Sequence, residues 1–432
     1  MYAQCRAQMK HKHIRSGLIL LSIFLHWTLI HAQGKPFSLT DYLNIALQKH
    51  PLLGSAEQAK AAAVYSSEAV QKGYYPQIGI ASHFIVAPGY DEVVTNGGEF
   101  GAQITASYLL YDGGSRSYEI QKGGVGVQQG TLNQTRTKAD VIYSVSSAFA
   151  AAVKEKRELD VVQQNFLQLN EYLQLVRQLH ASGQGSETDV LKTTVDLNNA
   201  QIDIDARHTA FQNSLIALAQ AAGLPSVDVS DVDSSLVAMS FDSTFIAARN
   251  IDIASQDLIL KQAELDAQIA GAKLQPNISV AADAGALTSL PNLQQGVSNV
   301  FGASMGLTFS LPFFTFGSIT DTYHAAEASA RSISLQNDFA RASLEHDFHA
   351  AKNSADRARA EIVALQKNLV VAEQNLLLSK SRYAGGNGLS LEVLDAIQMV
   401  NQIRLAIEET RWQMAASIFR LNRLNYSGAT QE

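Results

Sequence analysis

The chain has 432 residues, 46% of them apolar and 17% charged, with a formal net charge of −7. This balance excludes a disordered chain and argues against a nucleic-acid partner. Its one cysteine, Cys5, leaves no disulfide and no thiol chemistry for the remainder.

The first segment, residues 1–32, reads as a secretory signal. Arg6, Lys10, Lys12 and Arg15 precede an apolar run from Gly17 to Ile30, and Ala32 is a small residue suited to cleavage. Met9 is an alternative start, and the apolar run is short for a transmembrane helix. Removing the segment takes Cys5 and four basic residues with it, so the mature chain is more acidic. No Cys stands at the cleavage point, which argues against a lipid anchor. Beyond it no apolar stretch approaches the length of a membrane-spanning helix, so any crossing falls to strands.

The rest of the chain is written twice. Gly114 to Leu218 recurs about 203 positions later as Gly317 to Leu421, with Gly185 on Gly388 and Val190 on Val393. This gives a first repeat over 33–223, a linker over 224–250, a second repeat over 251–426 and a tail over 427–432. Each repeat holds two alternating strands and then a long helical hairpin, at about 115–222 and 318–426.

Strands are expected at about 77–87, 100–111, 277–286 and 301–310, each near the length that a tilted membrane strand needs. Phe100, Ala102, Ile104, Ala106, Tyr108 and Leu110 alternate with Gly101, Gln103, Thr105 and Ser107. Phe301, Ala303, Met305, Leu307 and Phe309 alternate with Gly302, Ser304, Gly306, Thr308 and Ser310. Ile278, Val280, Ala282 and Ala284 alternate with Asn277, Ser279, Ala281 and Asp283, and Ile78 to Val86 follows more weakly. One apolar and one polar face suit a barrel wall between lipid and water. Aromatics gather at the strand ends (Tyr74, Tyr75, Tyr111, Phe313, Phe314, Phe316), where a membrane interface would lie. Loops at Pro88–Glu99 and Leu287–Val300 tip the two hairpins. A soluble sandwich with one buried face is the plainer alternative. Four strands do not close, however, and backbone in lipid must be paired throughout, so closure takes strands from several chains.

Ser115 to His180 and Ser318 to Tyr383 contain no proline, and each would run roughly 100 Å as a continuous helix. A heptad seam passes through Leu159, Val162, Phe166, Leu169, Leu173 and Val176, and again through Ile362, Leu365, Leu369, Ala372, Leu376 and Ser379. The returning helices carry Ile204, Phe211, Leu215 and Leu218, matched by Ile407, Met414, Ile418 and Leu421. Such spacing predicts coiled-coil packing of helix against helix. The turns between helices, Gly183-Gln184-Gly185-Ser186 and Gly385-Gly386-Asn387-Gly388, are rich in the residue that tolerates left-handed backbone. The linker, with Pro225, Asp228, Asp231 and Asp233, is expected to pack as a collar. Glu345, His346 and His349 share a helix face, but no fourth ligand is apparent and a metal site is not expected. No catalytic constellation or phosphate-cradling loop appears at useful spacing, and no cofactor is expected.

Taken together, these residues resemble the TolC-like outer-membrane efflux channels, over Phe37 to about Tyr426. The resemblance is carried by Leu39-Thr40-Asp41-Tyr42-Leu43-Asn44-Ile45-Ala46-Leu47 followed by His50-Pro51-Leu52, and by Ala69 to Pro76. It is most specific at Ser381-Arg382-Tyr383-Ala384-Gly385 with Leu389 to Ala396. It implies a mostly helical chain with membrane β-structure, placed in the outer membrane and extending into the periplasm. Three protomers would contribute four strands each to one twelve-stranded barrel, and their helices would form a hollow α-barrel. It also implies that the two turns are tips at which a periplasmic adaptor docks, next to an inner-membrane pump. Acidic residues matching Glu392 and Asp395 ring the periplasmic aperture in that family, where Asp is more familiar than Glu at position 392. The first repeat has Asp189 and Lys192 there instead, so the mouth is set mainly by the second hairpin. The function implied is an exit duct of a tripartite efflux or type I secretion system. A periplasmic coiled-coil scaffold without a pore is the alternative.

Overall fold

The computed structural model describes residues 37–88, 90, 97–228, 232, 243–289, 292–293 and 300–426. The expected signal segment, the tail, the middles of both hairpin loops and about half of the linker, including Asp231 and Asp233, lie outside the described residues. In chain order the elements are α1 (Leu39–Lys49), α2 (Pro51–Gly73), β1 (Gln77–Val86), β2 (Gly98–Tyr111), α3 (Ser115–Ala181) and α4 (Glu187–Ala222). A 3-10 turn at Ala247–Arg249 precedes α5 (Ile251–Ala272), β3 (Asn277–Ser289), β4 (Phe301–Ser310), α6 (Ser318–Ala384) and α7 (Ser390–Leu424). The chain is thus mostly helical with a small antiparallel sheet. The duplication survives in the element bounds, since α3 and α6 are both unbroken helices of 67 residues. Contacts divide the chain into two compact units, each assembled from three stretches.

One unit comprises Pro51–Asp140, Phe241–Lys352 and the residues from Arg420 onward, and it holds the sheet. Its strands run in the order β1-β2-β3-β4, every neighbouring pair antiparallel. The register sorts the side chains into two faces. Ile80, Ile104, Ala284 and Ala303 form one cross-strand row, and Phe84, Phe100 and Thr288 belong to the same face. The opposite face carries rows such as Gly79, Thr105, Asp283 and Ser304. Large side chains of the apolar face stand exposed, Ile80 at 84% and Met305 at 81%. The outer strands β1 and β4 each have a hydrogen-bonded neighbour on one side only.

The expected alternation slips once. A bulge between Leu109 and Tyr111 makes Tyr111, not Leu110, the partner of Ile278. At the bulge the Arg116 guanidinium, at the start of α3, donates to the Leu109 carbonyl and lies 5.0 Å from the ring centre of Tyr74. At the matching entry to α6 the left-handed position occupied by Gly113 (φ 68°) in the first copy is held by Phe316 (φ 51°). A side chain there costs about 1–2 kcal/mol, and its ring packs edge-on to Phe314. Elsewhere in this unit Asn250 caps α5 through Ile253 N–H and donates to the Leu424 carbonyl at 2.8 Å. Arg423 reaches both Asp140 and Asp252.

The other unit comprises the N-terminal stretch to His50, Val141–Ser240 and Asn353–Phe419. A capping box of Ser38 and Asp41 starts α1, whose Tyr42 packs against Phe149 with ring centres 5.8 Å apart. Of the linker, Val232 is fully buried, bridging Phe37 and accepting from Lys156 at 2.8 Å. The first heptad seam is buried at Leu159, Val162, Leu169, Leu173 and Val176. The second is buried at Ala372, Leu376 and Ser379 and half-buried at Ile362, Leu365 and Leu369. Two further rows stay exposed: Leu191, Val195, Ile202 and Ile216 on α4, and Val363, Val370, Val371, Leu377 and Leu378 on α6.

A charged cluster ties α3, α4 and α7 together. Glu158, its side chain only 4% exposed, accepts from Arg207 on α4, and Lys154 pairs with Glu409 on α7 at 2.8 Å. Burial raises the Glu158 carboxyl above its ordinary range, while Arg207 and Lys154 pull it back. Because the folded state holds this proton more tightly than the unfolded chain, ionising Glu158 opposes folding. That cost appears as pH rises from the ordinary carboxylate range through the raised value. Replacing Arg207 by Ala is therefore expected to destabilise this unit by about 1–3 kcal/mol at neutral pH, and by less in acid. Thermal unfolding in detergent at the two pH values checks it.

Candidate functional site

The two helix-to-helix turns come together in the unit just described, over a shared apolar core. Leu169, Tyr172 and Val176 of α3, Ala200 of α4, Leu376 and Tyr383 of α6, and Val393, Ile397 and Val400 of α7 make one buried cluster. Large-to-small changes in such a cluster cost about 2–5 kcal/mol, so it fixes the turns firmly.

Both turns are the same helix-ending motif. Gly183 N–H donates to the His180 carbonyl and Gln184 N–H to Leu179; Gly386 N–H donates to Tyr383 and Asn387 N–H to Arg382. The glycines within each turn serve different ends. Gly183 (φ 80°) and Gly386 (φ 73°) supply the left-handed residue the motif needs. Gly185 and Gly388 are needed for space, since a Cβ would stand 2.9 Å from the His180 nitrogen and 3.0 Å from the Tyr383 nitrogen respectively. Side chains clasp each turn: His180 Nδ1 lies 3.1 Å from the Gly185 carbonyl, and Arg382 donates to the Asn387 carbonyl at 3.4 Å. Ser186 caps α4 by accepting from Thr188 N–H.

Two tyrosines, unforeseen from the sequence, join the turns. Tyr172 donates to Ser390 Oγ at 2.9 Å, and Tyr383 donates to Asp189 Oδ2 at 3.2 Å. Their rings lie 5.6 Å apart, and burial raises both phenols above their ordinary range. Gln184, Gly185, Ser186 and Asp189 face Gly385, Gly386 and Gly388 across a cleft of about 660 Å³.

The three acidic candidates do not share one opening. Asp189 lines that cleft, held by Tyr383. Glu392 lies 3.9 Å from Arg382. Asp395 is exposed on a separate groove of about 240 Å³ with Lys192, Asp196, Asp203, Asn165 and Asn401. Asp196 is a further residue the sequence reading passed over. Burial raises its carboxyl, Lys192 lowers it, and Asp395 raises it again. Its signal was the seven-residue spacing of Asp189, Asp196 and Asp203 along α4. Among the described residues no His, Cys, Asp and Glu cluster could hold a metal ion.

The profile of the outer membrane efflux protein family matches residues 42–224 and 246–425, nearly the whole described chain. The chain belongs to that family. It is similar to the outer membrane protein TolC of Salmonella enteritidis, 23% identical over 96% of this chain and 86% of that protein. It is also similar to the pyoverdine export outer membrane protein OpmQ of Pseudomonas aeruginosa, 22% identical over 68% of this chain and 63% of that protein. The fold matches the outer membrane protein VceC of Vibrio cholerae with a TM-score of 0.78, at 18% identity, covering 90% of this chain and 96% of that one. The protein is therefore an outer-membrane efflux channel, as its sequence resemblance implied.

For this efflux channel the division of labour among the tip glycines is testable. Gly386→Ala is expected to cost about 1–2 kcal/mol through its left-handed backbone. Gly185→Ala is expected to open its turn by steric displacement, since its Cβ would meet helix backbone rather than a movable side chain. Hydrogen exchange at the Gln184 and Asn387 amides, both hydrogen-bonded in the parent, should quicken in the respective variant.

Proposed function

We propose that the protein works as a homotrimeric exit duct of a tripartite efflux or type I secretion assembly, together with a periplasmic adaptor and an inner-membrane pump. The observation that carries this reading is the sheet: apolar on one face, polar on the other, and open at both edges. No described helix is long and apolar enough to cross a membrane; in this reading the strands, with their two unlike faces, are the part that crosses. Backbone groups in lipid must all be paired. Three copies of a four-stranded sheet close edge to edge into a barrel whose polar faces line water.

The exposed rows on α4 and α6 support assembly with further copies of the chain. Both begin near a tip and recur at heptad spacing, as Val195 and Ile202 do on one and Val363, Val370 and Leu377 on the other. In this reading α4 of one protomer packs against α6 of the next. Adaptors dock at Gly183–Ser186 and Gly385–Gly388, and Glu392 with Asp395 lines the aperture. The hydrogen bond from Tyr383 to Asp189 acts as a latch between the tips, and partner binding opens it. The cargo is whatever the pump delivers, and the pyoverdine export named for OpmQ is one case within that range.

Replacing Glu392 and Asp395 together by Ala should lower cation preference in planar bilayer recordings, because narrow mouths lined by carboxylates favour cations. An unchanged ion preference contradicts the aperture assignment. The duct itself is tested by photo-crosslinking in cells from a probe at Asn387, with captured proteins identified by mass spectrometry. Capture of a periplasmic adaptor is expected. Capture of nothing by protein shown to be in the outer membrane would refute docking at the tips.

A further inference from the structure

A carboxylate stands in the middle of the polar face of the sheet, and the tips do not explain it. Asp283 is near the centre of β3, in register with Thr105 on one side and Ser304 on the other. Gln103 Nε2 donates to its Oδ2 at 3.0 Å, and Ser304 Oγ donates to its Oδ1 at 2.6 Å. Both oxygens accept from donors on flanking strands, so the group is held in one orientation. Among the described residues no Lys, Arg or His pairs with it. The other strand acid, Glu99, lies near the start of β2 with His83 3.1 Å away.

The surroundings of Asp283 are unusually low. Ala281 and Gly285 on its own strand and Gly302 and Gly306 on β4 are its neighbours on that face, with Gly79 in the same row beyond Thr105. At Gly302 and Gly306 a Cβ would meet nothing within 4 Å, so these positions are not glycine for want of room in the chain. The carboxylate and its Gln103 partner therefore rise from a floor of small residues. A carboxylate offers an accepting oxygen on each side at once, which no neutral side chain of this size does.

We propose that Asp283 is a selectivity site for small cations inside the barrel, separate from the tip carboxylates. It rests on the duct reading: three copies would place three fixed carboxylates around one water-filled lumen. There the low-dielectric wall concentrates their field. Cations are drawn into the barrel and anions repelled, whatever the state of the tips.

The test uses full-length protein extracted from the outer membrane and reconstituted in planar bilayers, with the reversal potential measured across a KCl gradient. Glu392→Gln and Asp395→Asn are present throughout, so that the tips do not dominate selectivity. In that background Asp283→Asn is expected to cut the potassium-over-chloride permeability ratio severalfold, and Asp283→Glu to keep it. An Asp283→Cys variant is modified after the channel has formed, which separates charge from folding. An anionic sulfonatoethyl methanethiosulfonate should restore the preference, and a cationic trimethylammonium reagent should reverse it. A conducting channel whose permeability ratio ignores Asp283→Asn and both reagents overturns the inference and leaves the duct standing. Reconstituted trimers that pass no current even when the tip latch is removed by Tyr383→Phe overturn the duct reading, and the inference with it.

Discussion

The outer edges of β1 and β4 constrain everything else in this protein. Each offers a row of backbone donors and acceptors that no other described strand of the chain takes up. In water such an edge invites aggregation, and in lipid it is untenable. Family membership places the chain in the outer membrane, so its edges must be met by further strands. The proposed trimer meets them with strands the chain already owns. The polar face of the sheet then becomes an inner wall, and the exposed Ile80, Met305 and Phe301 become an outer one.

The helices follow the same logic at larger scale. Within one chain, the core of Leu169, Tyr172, Leu376 and Ile397 holds the two hairpins together. The rows on α4 and α6 are left over, too apolar to be a solvent surface and too regular to be scattered exceptions. Duplication made the two hairpins alike, and divergence gave them different tasks. At one tip position the first copy has His180, which clasps its own turn, and the second has Tyr383, which reaches across to Asp189. Farther along, Asp189 and Lys192 answer Glu392 and Asp395, so the charge pattern is not repeated. Symmetry supplies the frame, and these departures from it gather at and beside the turns.

Much of this was legible in the residues. Strict alternation in Phe301–Ser310 reports a strand with two unlike faces, because side-chain direction on a strand depends on nothing but parity. The glycine turns and the proline-free runs set the hairpins with equal clarity. Tertiary contacts were less visible. The bulge at Leu109–Tyr111, where Arg116 donates to the Leu109 carbonyl, is announced by no local pattern. Tyr172 and Ser390 are distant in sequence and meet only once four helices have packed. Gly183 and Gly185 look interchangeable as letters, yet one is required by its dihedral angle and the other by the closeness of a backbone nitrogen.

The most direct test of the central claim is native mass spectrometry of the protein released from lipid nanodiscs under conditions that keep membrane assemblies intact. A closed barrel built from four-stranded sheets predicts a complex of three copies, stable without any other polypeptide. Monomers that remain folded and lipid-inserted would contradict it, since their strand edges would then need some other partner.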